Sequence, residues 1–165
     1  MVRLSSEREP ALPYTALQVG LHWLVVAMIV SQYFTSGAIH RTHNPLVPPA
    51  EIDLVLHAMH NYGGMAIGLA MGLRLLLRLW RPVPVAAERP WQSRLASATH
   101  RALYAAIFAQ AATGFVASYF WGGAGRFHVF TWNVILALTA LHIAGAVWHV
   151  AAGERLRMFR FSTSR

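Results

Sequence analysis

Residues 127–149 read FHVFTWNVILALTALHIAGAVWH, an uncharged apolar run holding three histidines. On an α-helix, His128 and His142 return to within roughly 40° of one face and differ in depth by roughly 21 Å. His149 falls within about 20° of His142, two turns further on. An apolar helix with imidazoles at two depths can hold two metal centres stacked across a membrane. The rest of the chain then has to supply the partners.

Composition names the solvent. Of 165 residues, 56% are hydrophobic and only 12% charged, about half the charged fraction of a soluble domain. Mean hydropathy is +0.41. Four apolar stretches, about 16–39, 54–79, 95–120 and 129–152, are each long enough to span a hydrocarbon core of about 30 Å. They use nearly the whole chain, which predicts a single domain over residues 1–165. The first stretch lacks a small-residue cleavage site and is long for a signal peptide, so it is expected to be a retained helix. With no cysteine, disulfides, thiolate iron–sulfur ligation and thiol chemistry are excluded together.

All fourteen basic residues are arginine, and the formal net charge is +8. Their distribution follows membrane topology rather than a nucleic-acid face. Arg74, Arg78, Arg81, Arg89, Arg94 and Arg101 surround the second connection. Arg155, Arg157, Arg160 and Arg165 fill the C-terminal tail, and Arg3 and Arg8 the N-terminal one. The first and third connections hold only Arg41 and Arg126, beside Glu51 and Asp53. By the positive-inside rule, both termini and the middle connection are cytoplasmic. The expected fold is an all-α, integral membrane, up-down four-helix bundle, an architecture that builds cofactor sites in its core between facing helices.

Along the chain, His22 and Trp23 lie on the cytoplasmic side of the first helix. Ser36–Asp53, with His40, His43, Asn44, Pro45, Pro48 and Pro49, is expected to be an irregular outer loop. The second helix carries His57 and His60 near its outer end, then Gly64, Gly68 and Gly72 at every fourth position. That spacing lets another helix or a flat cofactor approach the backbone closely. Arg74 and Arg78 close this helix, where they can snorkel to headgroups. Pro82, Pro84 and Pro90 read as loop. His100 and Arg101 open the third helix, Gln110 lies near its middle, and Trp121–Phe127 forms a short outer turn.

An ionisable side chain inside a membrane helix is costly and is by default functional. Without thiols, and with almost no carboxylate in the apolar segments, zinc and di-iron carboxylate sites lack ligands. Imidazole-only ligation suits haem, whose iron takes axial side chains. Depth pairs His60 with His128 on the outer side, and His22 with His142 or His149 on the cytoplasmic side. Each of these could instead be a hydrogen-bonding packing residue, most readily the interfacial His128. His100 and His149 could ligate, contact haem propionates or serve a quinone proton relay. His57 reads as supporting or surface, and His40 and His43 as loop residues with a transient outer metal site as the alternative.

Several motifs together resemble the bacterial cytochrome b-561 family. They are Gly20-Leu21-His22-Trp23, His60 followed by Gly63-Gly64, and Arg74-Leu75-Leu76-Leu77-Arg78. To these are added His100-Arg101-Ala102-Leu103-Tyr104 and the His128 to His142 spacing. The likeness covers about residues 14–160. It implies a dihaem four-helix protein of the bacterial inner membrane, related in plan to the haem subunits of formate dehydrogenases and nickel–iron hydrogenases. It further implies two haem b groups, one held by His22 with His142 and one by His60 with His128. His100, His149 and Arg101 are left for propionate or quinone contacts.

The function this implies is transmembrane electron transfer between a periplasmic one-electron donor and ubiquinone. Stand-alone family members are similar to superoxide oxidases, so superoxide is one expected donor and superoxide:ubiquinone oxidoreductase the corresponding activity. Against this, Arg41 and Arg126 are offset by Glu51 and Asp53, whereas an anion collector favours a positive face. The alternatives are a haem anchor relaying electrons from a partner dehydrogenase, hydrogenase or soluble cytochrome, and a haem-free ion or proton channel.

Overall fold

The computed structural model describes residues 14–81 and 90–151. They form four long helices: α1 (Ala16–Thr42), α2 (Glu51–Trp80), α3 (Pro90–Tyr119) and α4 (Gly125–Ala151). A single 3-10 turn occupies Gly122–Ala124, and no strand occurs among the described residues. All four helices are long and apolar enough to cross a bilayer, so the chain is an all-α four-helix membrane bundle. Following the orientation expected from the arginines, the end holding the α1–α2 and α3–α4 connections is labelled outer.

Local chemistry sets the helix ends. α1 starts with a capping box: the Thr15 hydroxyl accepts from the Gln18 N–H at 3.2 Å, and the Thr15 N–H donates to Gln18 Oε1 at 3.0 Å. Two orphan donors are thereby satisfied. At its other end α1 overturns the expectation of a loop from Ser36. Ser36 donates to the Tyr33 carbonyl at 2.8 Å and Thr42 to that of Ala38 at 2.9 Å. Hydroxyls bonded back to their own helix continue it, and the connection shrinks to residues 43–50, with Pro48 and Pro49 just before α2.

The N-cap of α2, Ala50, offers no side-chain acceptor, but Glu51 and Asp53 stand in the first turn, where carboxylates complement the helix dipole. Asp53 also takes the Arg41 Nε at 2.7 Å, tying the end of α1 to the start of α2. Pro90 is not the expected loop residue; it is the first residue of α3. There its missing N–H costs nothing and its fixed φ suits the helix.

The α3–α4 connection is also shorter than expected, because Gly125–Phe127 are already helical. Phe120 and Trp121 both donate their N–H to the Val116 carbonyl, at 3.0 and 2.8 Å. The Trp121 indole folds against Gly123, where a Cβ would come within 2.5 Å of the ring. Pro82, Pro84, Arg89 and both arginine-bearing tails lie outside the described residues.

α1 packs along α2, α3 along α4, and α2 against α3. The buried core is a waist at mid-depth to which every helix contributes: Val25 from α1, Ile67 and Met71 from α2, Ala106 and Ile107 from α3, and Ile135 from α4. Large apolar side chains elsewhere face outward, among them Leu69 at 78% and Phe34 at 74% exposure. A bundle with so little interior and so much exposed hydrocarbon is built for lipid.

The every-fourth glycines divide their roles. A Cβ on Gly68 would lie 3.2 Å from the Ala111 Cβ of α3, whereas one on Gly72 would meet nothing within 4 Å. Gly68 therefore sets the α2–α3 approach and Gly72 does not. Gly68→Leu should destabilise the bundle by roughly 1–3 kcal/mol, the usual cost of overpacking, and lower the midpoint of a circular-dichroism melt in detergent. Gly72→Leu should leave that midpoint near the parent value.

Candidate functional site

The outer end brings together His60 from α2 and His128 from α4, whose ring centres lie 6.2 Å apart. Each ring is held from behind. The Thr35 hydroxyl donates to the Ser31 carbonyl at 2.9 Å, leaving its oxygen to accept from His60 Nδ1 at 3.2 Å. His128 Nδ1 donates to the Gln110 main-chain carbonyl at 2.9 Å, with the Thr113 hydroxyl at 3.4 Å. With Nδ1 carrying the proton, Nε2 is the acceptor in each ring, the tautomer that metal-bound histidines take when a protein group holds the other nitrogen. On His128 that acceptor is engaged by the Gln110 side chain and opens to a metal only once Gln110 turns away.

The Gln110 amide donates to His128 Nε2 at 3.0 Å and accepts from the Thr131 hydroxyl. Gly114 lies flat against His128: a Cβ there would come within 2.8 Å of Cε1. Both histidines line a cavity of about 350 Å³, within the range of small-ligand sites. Gln32, buried and with its Nε2 unpartnered, lines the same cavity.

The inner end brings together His22 from α1 and His142 from α4, with ring centres 6.3 Å apart. His100 from α3 comes closer to His142, at 5.0 Å. Its Nδ1 is buried without a partner, as is Arg74 Nη1. Arg74 is thus not simply the snorkelling cation its position suggests, for part of its guanidinium is turned inward and half-buried among the helices. Arg78 lies over the Tyr104 ring at 6.0 Å. Arg101 is exposed and bonds back to its own helix through the Ser97 carbonyl at 3.3 Å. His149 lies on the last turn of α4.

These separations bear directly on haem. Metal–imidazole bonds of about 2 Å on either side of one ion, extended by the ring radii, separate trans ring centres by about 6 Å. His60–His128 and His22–His142 fit that spacing, and His100–His142 is too short for it. The orphaned Arg74 and His100 nitrogens suit an anionic group such as a carboxylate at the inner end.

Sequence reasoning passed over Gln32, Thr35 and Thr113 as well as Gly114, and noted Gln110 only for its depth. One signal was there to find: Gln32-Tyr33-Phe34-Thr35 on α1 and Gln110-Ala111-Ala112-Thr113 on α3 repeat the same polar pair on otherwise apolar helices. In each, the threonine reaches the Nδ1 of one outer histidine.

Comparison with known proteins supplies a family. The chain is 26% identical over 140 residues to a protein named cytochrome b562 from Cereibacter sphaeroides, covering 82% of this chain and 86% of that one. The family model described as prokaryotic cytochrome b561 matches residues 13–161, nearly the full length, and the chain belongs to that family.

Proposed function

We propose that this protein carries electrons across the bacterial inner membrane through two b haems, from a periplasmic one-electron donor to membrane quinone. Haem-based electron transfer within a membrane follows from the family; the haem count, the ligands and the two redox partners are the proposal. The observation that carries it is the pair of imidazole couples, 6.2 and 6.3 Å apart at opposite depths of one bundle. Two separate couples, each at a spacing that an ion held between two imidazoles would require, support this reading over packing alone.

In this reading His60 and His128 hold the outer haem, and His22 and His142 the inner one. Haem bound there would supply one-electron chemistry. With both imidazoles of a couple committed to the iron, these side chains would suit each site to relaying electrons rather than binding oxygen. Thr35, Thr113 and the Gln110 carbonyl fix the outer rings through Nδ1, which orients Nε2 and raises its donor strength. The waist of Val25, Ile67, Met71, Ala106, Ile107 and Ile135 keeps water and ions out of the space between the sites. At the inner end Arg74 directs an unpartnered N–H inward, where it can neutralise a propionate, and His100 Nδ1 can hydrogen-bond one. His100 and His149 are assigned to proton delivery to a quinone, and Arg101 to the adjoining interface.

The donor is the point at which two readings divide. Superoxide remains the small-molecule candidate, but Arg41 is engaged by Asp53 and Arg126 lies over the Phe127 ring at 4.8 Å. The second reading, a haem anchor for a partner dehydrogenase, hydrogenase or soluble cytochrome, is favoured by the exposed apolar rim of Leu46, Phe120 and Trp121.

Reduced-minus-oxidised spectra with pyridine haemochrome quantification on detergent-purified protein should give two b haems per chain. His22→Ala and His128→Ala should each lose a different one. One haem in the parent would mean that a pairing is wrong, and none would end the electron-transfer reading. Gly114→Leu, which drives a side chain into the His128 ring, should lose the outer haem while keeping the inner. Thr35→Val should keep both haems and raise the midpoint potential of the outer one, because a less basic imidazole favours ferric iron less.

A further inference from the structure

Outside the two buried couples, a third pair of histidines meets at the outer surface. His43 caps the end of α1, and His57 stands on the second turn of α2, one turn before His60. Their ring centres lie 5.1 Å apart, nearly edge to face at 78°. Helical extension of α1 creates the pair, because it carries residue 43 to the point where α2 passes.

His57 is held as a metal ligand is held. The Thr42 hydroxyl donates to the carbonyls of Ala38 at 2.9 Å and Ile39 at 3.2 Å. Its proton is therefore committed, and its oxygen accepts from His57 Nδ1 at 2.6 Å. That bond leaves the Nε2 lone pair of His57 free to bind, with ring orientation and tautomer both fixed. His43 is exposed and can turn to meet the same ion. Asp53, one turn before His57 and paired with Arg41, adds a carboxylate to the neighbourhood. No group of three or more histidines, cysteines and carboxylates among the described residues forms a closed site.

We propose that His43 and His57 form an open, two-imidazole site for a late first-row divalent cation, with water or an exogenous ligand filling the remaining positions. Imidazole ligands select copper, nickel and zinc over magnesium or calcium. The cation would sit at the outer surface within a turn of His60, placing positive charge on a face whose arginines are otherwise engaged. The site stands on its own geometry and does not depend on how many haems the bundle carries.

The probe is Cu²⁺, titrated into untagged, haem-loaded protein in detergent by isothermal calorimetry, with the spectrum of bound copper recorded by electron paramagnetic resonance. One Cu²⁺ per chain is expected, with hyperfine structure from two nitrogens. His57→Ala and His43→Ala should each abolish stoichiometric binding, and His40→Ala should retain it. Thr42→Val should weaken binding about 10- to 100-fold, as loss of an outer-shell partner does, while Thr42→Ser restores it. Variants are compared only at full haem content, which separates loss of the site from loss of the fold. No stoichiometric binding by the parent, or equal affinity in His57→Ala, would overturn the proposal. So would a Thr42→Val variant that binds as the parent does.

Discussion

An imidazole in hydrocarbon has no water to turn to, and that constraint organises this bundle. Each buried ring carries one donor and one acceptor, and burying either without a partner costs on the order of 1–3 kcal/mol. At the outer end, a hydroxyl from α1 holds Nδ1 of His60, and a carbonyl and an amide from α3 hold both nitrogens of His128. At the inner end the nitrogens of Arg74 and His100 point into the protein without a partner. Gln32 Nε2, buried in the outer cavity, is likewise without a partner, so each end keeps polar atoms that the chain alone does not satisfy.

Packing serves these rings more than it serves an interior. The buried core is a thin waist, and most large apolar side chains are given to lipid. Small residues lie where close approach is needed: Gly68 against Ala111, and Gly114 under His128. Proteins in lipid gain little from hiding hydrocarbon, so tight backbone contacts and polar bonds between helices take over the work of association.

Much of this was legible beforehand. Four apolar stretches fixed the helix count, and the helical period of residues 127–149 placed His128 and His142 on one face at different depths. Topology alone then paired His60 with His128 and left His22 a choice; in the structure the His22 and His142 rings lie 6.3 Å apart. Helix ends were less legible. Ser36 and Thr42 carry hydroxyls that favour loops in water but satisfy themselves on a helix in lipid, and Pro90 breaks a helix or begins one depending on its position. The buttressing pairs on α1 and α3 were hidden because a glutamine and a threonine in an apolar segment identify no partner until neighbouring helices are set beside them. Arg74 was misjudged for a related reason: length lets an arginine reach headgroups, but only packing decides which way it turns.

α4 supplies one histidine to each buried couple, so both depths are measured along a single rigid rod. Apart from Val129 and Trp132, which line the outer cavity, and Thr131, which bonds Gln110, residues 129–141 mostly face lipid or the waist and can change chemically. They cannot change in number. Removing one residue would swing His142 about 100° around the helix relative to His128, and no compensating shift of α1 could restore its partner without breaking the register of α1 with α2. The distance between the two couples is therefore a quantity of chain length, fixed in whole residues: a substitution between them keeps it and a deletion does not.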